Sequence, residues 1–333
     1  YGLEMINGID DQGVLNELSG EFNGLFFEDA NKAVTVKLDE LGVLLKLKFI
    51  THSYPHDWRT KKPIVFRATK QWFCSIDKIR DDLLNELENN VKFHTEWGKK
   101  RLYNMIHDRG DWCISRQLWW GHRIPAWYKD DEVYVGAEAP KEDGWVQDED
   151  VLDTWFSSAL WPFATLGWPE NTKLLETYYP NSCLVTGYDI IPFWVNRMTF
   201  QGEKLLGKRP FKDCLIHGLI RDKQGRKFSK SLGNGIDPFD MVKLYGADSL
   251  RYYLATDVAP GTDMRFDEEK IKATWNYINK IWNASRFVLT NIEGLEKITL
   301  DNLKPEDKWI LTKFMKCVHT TKKFMDKYEF NNA

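Results

Sequence analysis

The stretch that decides the fold is SCLVTGYDIIPFWVNRMTFQGEKLLGKRPFKDCLIHGLI, residues 182–220. It begins and ends with short apolar runs, 182–187 and 213–220, each bounded by turn residues, as buried parallel strands are. The segment between them, from Tyr188 to Leu206, has the length and composition of a helix. This order predicts a β-α-β unit and therefore an α/β fold with a parallel sheet.

Further from this unit, three other segments have recognisable patterns. VLLKLKFI (43–50) predicts a strand, and a helix is expected near 151–161. From residue 267 onward, Ile271, Trp275 and Ile278 recur at helical spacing after an acidic first turn, so 267–333 is predicted to be all helix.

The composition is that of an ordinary globular protein. The chain has 333 residues, of which 43% are hydrophobic and 29% charged, and no apolar run is long enough to cross a membrane. The five cysteines form no C-x-x-C pair, which argues against a zinc ribbon and fits a reducing cytoplasm. Since the net charge is −3, any contact with nucleic acid must come from local basic patches.

A basic loop follows the second predicted strand: IRDKQGRKFSKSLGNGIDPFD, residues 220–240. A loop of lysines and serines is usually a solvated turn. However, ligands of open α/β sheets bind beyond the carboxyl ends of the strands, so Lys227 and Lys230 could meet an anion there. Gly225 and Gly233 would let the backbone approach a phosphate closely. A pair of ammonium groups suits a reaction in which a polyphosphate gains charge as it leaves.

Residues 227–255, KFSKSLGNGIDPFDMVKLYGADSLRYYLA, resemble the KMSKS signature of class I aminoacyl-tRNA synthetases and the segment after it. Phe228 stands in the usual Met position. Segments 111–128, 148–169, 184–198 and 265–289 resemble the valine-specific branch of the family, whereas 27–77 looks more like the isoleucine-specific branch. We prefer specificity for valine, because the tryptophan-rich segments resemble the valine-specific branch. Specificity for isoleucine is the alternative.

The resemblance implies an order of domains. Residues 1–52 would be the C-terminal tail of an inserted editing domain, and 53–110 a connective segment. Residues 111–264 would form the second half of a Rossmann-like parallel-sheet catalytic domain, and 265–333 the start of an α-helical anticodon-binding bundle. The H-x-G-H motif of the family is missing from the sequence. The chain is therefore expected to be a fragment that is inactive in isolation, and a module that only binds tRNA or nucleotide is a further alternative.

The resemblance also implies an activity and a set of residues. Family members use ATP to form an aminoacyl-adenylate and then acylate tRNA. The residues expected to stabilise the leaving pyrophosphate are Lys227, Lys230, Ser229 and Ser231. Those expected to bind ATP are Gly187, Asp189, His217, Gly218, Leu219 and Ile220, with Asp189 on the ribose hydroxyls. The walls of the amino acid pocket would be Trp120 and Trp155, and contacts to tRNA would come from Lys99, Lys100, Arg101, Arg109 and Arg116.

Plainer interpretations stand beside these assignments. Asp189 could be a helix N-cap, His217 a core residue, and the tryptophans simple packing. A different ATP-using α/β enzyme is disfavoured, because no G-x-x-x-x-G-K loop is present. Mg²⁺ is expected to accompany ATP, with no structural metal, no membrane association, a cytoplasmic location and a monomeric state.

Overall fold

The computed structural model describes residues 2–57, 60–229, 232–294 and 300–333. By their contacts these fall into two compact units, residues 1–72 and 73–333. Each unit is described by itself below.

The first unit is built around one helix, α1 (Phe27–Glu40), which carries two acidic residues in its first turn. Acidic side chains at this end complement the helix dipole. Gly42 follows the helix with φ +66°, a left-handed conformation that stops helices and that glycine adopts without strain.

The predicted strand at 43–50 is wrong. Residues 43–50 form no strand pairing with any residue that the structure describes, and Leu45 is 98% exposed. A strand needs a hydrogen-bonding neighbour, and the apolar composition of a segment cannot provide one.

The second unit contains ten of the helices in the described part of the chain. They are α2 (Arg80–Asn89), α3 (Glu96–His107), α4 (Thr154–Ser158), α5 (Trp161–Ala164), α6 (Lys173–Tyr178), α7 (Asn196–Leu206), α8 (Pro238–Tyr245), α9 (Ala247–Thr256), α10 (Glu268–Asn291) and α11 (Pro305–Met325).

Its strands are mostly short. They are β1 (Phe73–Cys74), β2 (Lys92–Phe93), β3 (Trp112–Cys113), β4 (Ser115–Arg116), β5 (Ala126–Lys129), β6 (Glu132–Val135), β7 (Val146–Gln147), β8 (Val151–Leu152), β9 (Asn181–Gly187), β10 (Phe211–His217), β11 (Ile220–Arg221) and β12 (Met264–Arg265).

The predicted β-α-β unit is confirmed. Strands β9 and β10 pair in parallel, with β2 on the other side of β10, so that the sheet order is β2-β10-β9. The connecting segment is helical throughout, but it begins with a 3₁₀ turn at Tyr188–Ile190 and a π turn at Ile191–Val195 before α7. The side chains of Ile191, Val195 and Met198 are fully buried, and the two helical segments that carry them pack against α3 and α4.

Two other predictions are corrected in detail. The expected helix at 151–161 starts later, because Val151 and Leu152 form β8, which pairs with β4. The C-terminal region is mostly helical, in α10 and α11, but residues 326–333 follow the end of α11 without helix, so the prediction that all of 267–333 is helix was too broad.

A second buried cluster lies where α8, α9 and α10 meet β12. It contains Met241, Leu250, Tyr253, Met264, Phe266 and Ile271. Phe228, from the basic loop, packs against this cluster, and its ring centroid lies 6.4 Å from that of Phe266. The loop is therefore attached to the core by one apolar side chain.

None of the helices in the described ranges combines the length and the apolar character needed to cross a membrane.

Candidate active site

The carboxyl ends of β9 and β10 lie side by side. Gly187 and His217, the last residues of the two strands, are direct partners in the register. Asp189 follows β9 in the first 3₁₀ turn, and the Nδ1 atom of His217 lies 2.8 Å from the carbonyl oxygen of Gly218. The predicted nucleotide-binding residues thus converge at the edge of the sheet where α/β proteins bind ligands.

Gly218 is required by a close backbone approach. A Cβ atom at this position would lie 2.0 Å from the carbonyl oxygen of Thr262, far inside van der Waals contact. The absence of a side chain lets the 218–219 segment run against the segment that leads into β12. Both segments line a cavity of about 290 Å³ together with His217, Ile220 and Met264.

Asp263 joins these segments and was missed by sequence reasoning. Its Oδ1 accepts a hydrogen bond from the backbone nitrogen of Leu219 at 2.8 Å, and its Oδ2 pairs with Arg221 Nε at 2.5 Å. Tyr188 also donates its hydroxyl to Oδ2, at 3.2 Å. Burial by itself would raise the pKa of Asp263, but the hydrogen bonds from Leu219, Arg221 and Tyr188 together lower it.

This network limits one predicted contact. Leu219 was expected to bind ATP, yet its N–H is donated to Asp263 and its carbonyl accepts from the backbone nitrogen of Met264 at 3.0 Å. Both polar backbone groups of Leu219 therefore have partners within the protein.

The basic loop folds back toward the sheet. Lys227 pairs with Arg221 in an antiparallel bridge, and its ammonium Nζ lies 2.9 Å from Asp189 Oδ2. These two residues are 38 positions apart in the sequence. Ser229 donates its backbone nitrogen to the side chain of Asn234. Lys230 and Ser231, the remaining predicted catalytic residues, lie outside the described residues.

The described residues contain no group of three or more His, Cys, Asp or Glu side chains arranged to hold a metal ion. We therefore assign no protein ligand to a metal.

The model for tRNA synthetases class I (I, L, M and V) matches this sequence over residues 20–145 and 138–267. These matches cover well over half of the chain. This chain belongs to that family.

Close relatives of this class I synthetase chain are valine--tRNA ligases. The one from Streptococcus thermophilus is 49% identical over 350 residues, and the one from Bacillus licheniformis is 50% identical over 342 residues. In both alignments all of this chain is covered, but only 39% of the relative. The chain thus spans well under half the length of the curated relatives it matches.

Solved structures of the family share the fold. Mycobacterium tuberculosis methionyl-tRNA synthetase bound by methionyl-adenylate superposes with a TM-score of 0.64 at 20% identity, covering 83% of this chain and 52% of that one. A ternary complex of Agrobacterium radiobacter K84 LeuRS with tRNA and LeuAMS gives a TM-score of 0.56 at 18% identity, covering 77% and 40%. At these identities the likeness supports the mixed α/β architecture alone.

The two tryptophans predicted to wall the amino acid pocket of this synthetase chain lie in different surroundings. Trp155 is half-buried and stacks on Phe193, with ring centroids 5.6 Å apart. Trp120 is 84% exposed and touches the ring of Trp119. The structure gives Trp155 a packed environment suited to a pocket wall, whereas Trp120 projects into solvent.

The five basic residues expected to contact tRNA differ in how exposed they are. Lys100 and Arg101 are exposed on α3, and Lys99 donates to the carbonyl of Glu88 at 3.1 Å. By contrast, Arg109 and Arg116 are half-buried, and Arg116 pairs with Asp153 at 3.2 Å. The exposed pair on α3 can reach a phosphate, while the other two belong to an internal cluster.

That internal cluster contains a residue which sequence reasoning missed. Arg197 on α7 is 3% exposed, and its guanidinium carbon lies 4.2 Å from the ring centroid of Trp112. Its Nε and Nη1 atoms have no hydrogen-bond partner among the described residues. Burial, followed by the charges of Arg109 and Arg116, lowers the pKa of Arg197 to about 9. The group is still a cation at neutral pH.

Proposed function

We propose that the full-length product of the gene encoding this chain attaches valine to its tRNA through a valyl-adenylate. The observation that carries the proposal is the alignment of the whole chain, at 49% identity, with valine--tRNA ligases. The part of the sequence that looked isoleucine-like, 27–77, lies within that alignment.

The domain assignment stands as part of this proposal. Residues 111–264 would be the second half of a Rossmann-like catalytic domain, between editing and connective segments (1–52 and 53–110) and the start of an anticodon-binding bundle (265–333). The mixed α/β fold with a small parallel sheet supports the catalytic part of this division.

The chemistry requires charge stabilisation more than covalent participation. The valine carboxylate attacks the α-phosphorus of ATP, pyrophosphate leaves, and the 3′-terminal ribose of tRNA then takes the acyl group. Positioning and electrostatics supply most of the catalysis in such transfers. Lys227, Lys230, Ser229 and Ser231 would stabilise the departing pyrophosphate.

Lys227 and Asp189 must exchange partners when the nucleotide binds. In the structure they pair with each other at 2.9 Å, whereas their proposed roles direct Asp189 to the ribose and Lys227 to the phosphates. The lysine side chain is 59% exposed, and pairs of this kind contribute only about 0–1 kcal/mol. Breaking the pair therefore costs little, and hydrogen bonds to the ribose and the phosphates would offset that cost.

The substrates and surroundings follow from the same proposal. ATP would bring Mg²⁺ bound to its phosphates, the partners would be valine and a valine-accepting tRNA, and the protein would act as a cytoplasmic monomer. Lys100 and Arg101 remain the candidates of the basic set for tRNA phosphates.

The test is ATP–pyrophosphate exchange by the full-length protein with valine, isoleucine and threonine. We expect valine to be preferred and Lys227→Ala to lower kcat about 100-fold, the loss typical of one charge-stabilising donor. The exposed Lys223 lies in the same loop, and Lys223→Ala is the control that should leave the rate unchanged.

Two results would contradict the proposal. Preference for isoleucine would reassign the substrate, and an unchanged rate in Lys227→Ala would remove the proposed role of the loop. We expect the 333-residue chain, which contains no H-x-G-H sequence, to give no exchange by itself.

A further inference from the structure

The basic loop begins with a tight turn at residues 222–226. Asp222 donates its backbone nitrogen to the carbonyl of Arg226 at 2.9 Å, and Gly225 donates to the carbonyl of Asp222 at 2.8 Å. Gly225 has φ +81°, which glycine adopts without strain. The turn brings the chain back to its starting point and leaves the side chain of Asp222 only 9% exposed.

Asn234 joins the far end of the loop to this turn. Its Nδ2 donates to Asp222 Oδ2 at 2.9 Å and to the carbonyl of Lys227 at 3.3 Å. Its Oδ1 accepts the backbone nitrogen of Ser229 at 3.0 Å. One amide side chain thus ties the backbone on both sides of Phe228 to the base of the loop.

The carboxylate of Asp222 is held as an anion. Besides Asn234, it accepts hydrogen bonds from the backbone nitrogen of Arg226 at 2.8 Å and from Arg226 Nε at 2.7 Å. The Asn234 hydrogen bond, followed by those of Arg226, lowers the pKa of Asp222 from 3.8 to about 2. A lowered carboxyl pKa contributes stability above the ordinary value of 3.8 and loses it as the pH falls toward 2. The Asp222 carboxylate therefore stays ionised near neutral pH and accepts these hydrogen bonds as an anion.

We propose that Asn234, anchored by Asp222, is a positioning residue that fixes the backbone of residues 227–229 and so aims the Lys227 ammonium at the sheet edge that carries Asp189. This proposal rests on the proposed function for its catalytic consequence only. Its structural part concerns contacts among Asp222, Arg226, Lys227, Ser229 and Asn234 and can be tested separately.

The side chain at position 234 must both donate and accept. An alanine would do neither, and a carboxylate would accept from Ser229 but repel Asp222 across the same 2.9 Å. The two roles cannot be exchanged between positions 222 and 234, because Asp222 Oδ2 also accepts a hydrogen bond from Arg226 Nε at 2.7 Å. An amide nitrogen in its place would face that second donor.

The structural test is amide hydrogen exchange of Ser229 in the 333-residue chain. Losing its acceptor in Asn234→Ala should speed exchange at Ser229 about tenfold, as for one hydrogen bond to a side chain. Asn234→Asp should also speed exchange at Ser229, because the new carboxylate repels Asp222 and the carbonyl of Lys227. Gln224→Ala, an amide lost at an exposed position of the same turn, is the matched control and should change nothing.

The catalytic test uses the full-length protein. We expect Asn234→Ala to lower kcat for ATP–pyrophosphate exchange about tenfold with KM for valine unchanged. An effect through general instability would instead lower the melting temperature of the full-length protein.

Either of two results overturns the proposal: unchanged exchange at Ser229 in Asn234→Ala, or an unchanged kcat in that variant of a full-length protein that activates valine. If the full-length protein did not activate valine, the proposed function would fail. The hydrogen-exchange result would still decide whether Asn234 holds the loop as described.

Discussion

Single residues decide how closely the segments of the site approach each other. Gly218 is the clearest case, because a Cβ atom there would lie 2.0 Å from the Thr262 carbonyl oxygen and 2.5 Å from the Asp263 nitrogen. Both neighbours are backbone atoms, so neither can move aside without displacing a strand.

We expect Gly218→Ala to lower the free energy of unfolding by about 1–3 kcal/mol, the usual cost of forcing atoms into a packed region. Urea denaturation of the 333-residue chain measures this. Gly110→Ala is the control, because a Cβ at Gly110 meets nothing within 4 Å, and its effect should stay within about 0.5 kcal/mol. Equal urea midpoints for Gly218→Ala and Gly110→Ala would show that the segments around residues 218 and 262 can move apart without loss of stability.

Single residues also show where sequence patterns are informative. The spacing of Lys227 and Asp189 in the chain gives no hint of contact, yet each follows a predicted strand, and the strand order brings both to one edge. Asp263 and Asn234 follow no such rule. They are short polar residues in loops, and their partners were set by how the loops pack.

Whole elements carry a different kind of information, as α7 shows. Its last residue, Leu206, was predicted from the pattern, but Arg197 was not singled out, because an arginine in a helix is ordinarily exposed. Here it lies under Trp112, and two of its donors have no partner among the described residues. A buried cation with incomplete partners costs several kcal/mol.

We expect Arg197→Met to leave the 333-residue chain equally stable or more stable by about 1–4 kcal/mol, because an apolar side chain of similar volume avoids the desolvation cost. Asp153 keeps its contacts with Trp112 Nε1 at 3.0 Å and Arg116 at 3.2 Å, so no charge is stranded.

Denaturant unfolding provides the measurement, and Lys204→Met on an exposed position of the same helix is the control, expected within about 0.5 kcal/mol of wild type. A loss of more than about 2 kcal/mol in Arg197→Met would mean that the guanidinium has partners which the structure does not reveal.

For the molecule as a whole, the distribution of buried side chains matters most. Among the residues that the structure describes, Ala30 is the only buried apolar residue before residue 73, and all the others belong to the second unit. Hydrophobic burial is the main source of folding stability, so that unit should contain nearly all of it.

We expect residues 73–333 produced alone to unfold cooperatively, with a midpoint close to that of the 333-residue chain. Near-ultraviolet circular dichroism and thermal melting test this on both proteins. Loss of the cooperative transition in the shorter protein would show that residues 1–72 are needed to complete the fold of the second unit.

The β-α-β unit, the C-terminal helices and the family of the chain were all evident from the sequence, because apolar periodicity and contiguous motifs are local properties. Tertiary structure alone decided that 43–50 has no strand partner among the described residues, that Asp263 and Asn234 hold the loops of the site, and that Arg197 is buried. Each of these depends on a neighbour far away in the chain, and a side chain's surroundings are set by the packing of distant segments rather than by the residues beside it.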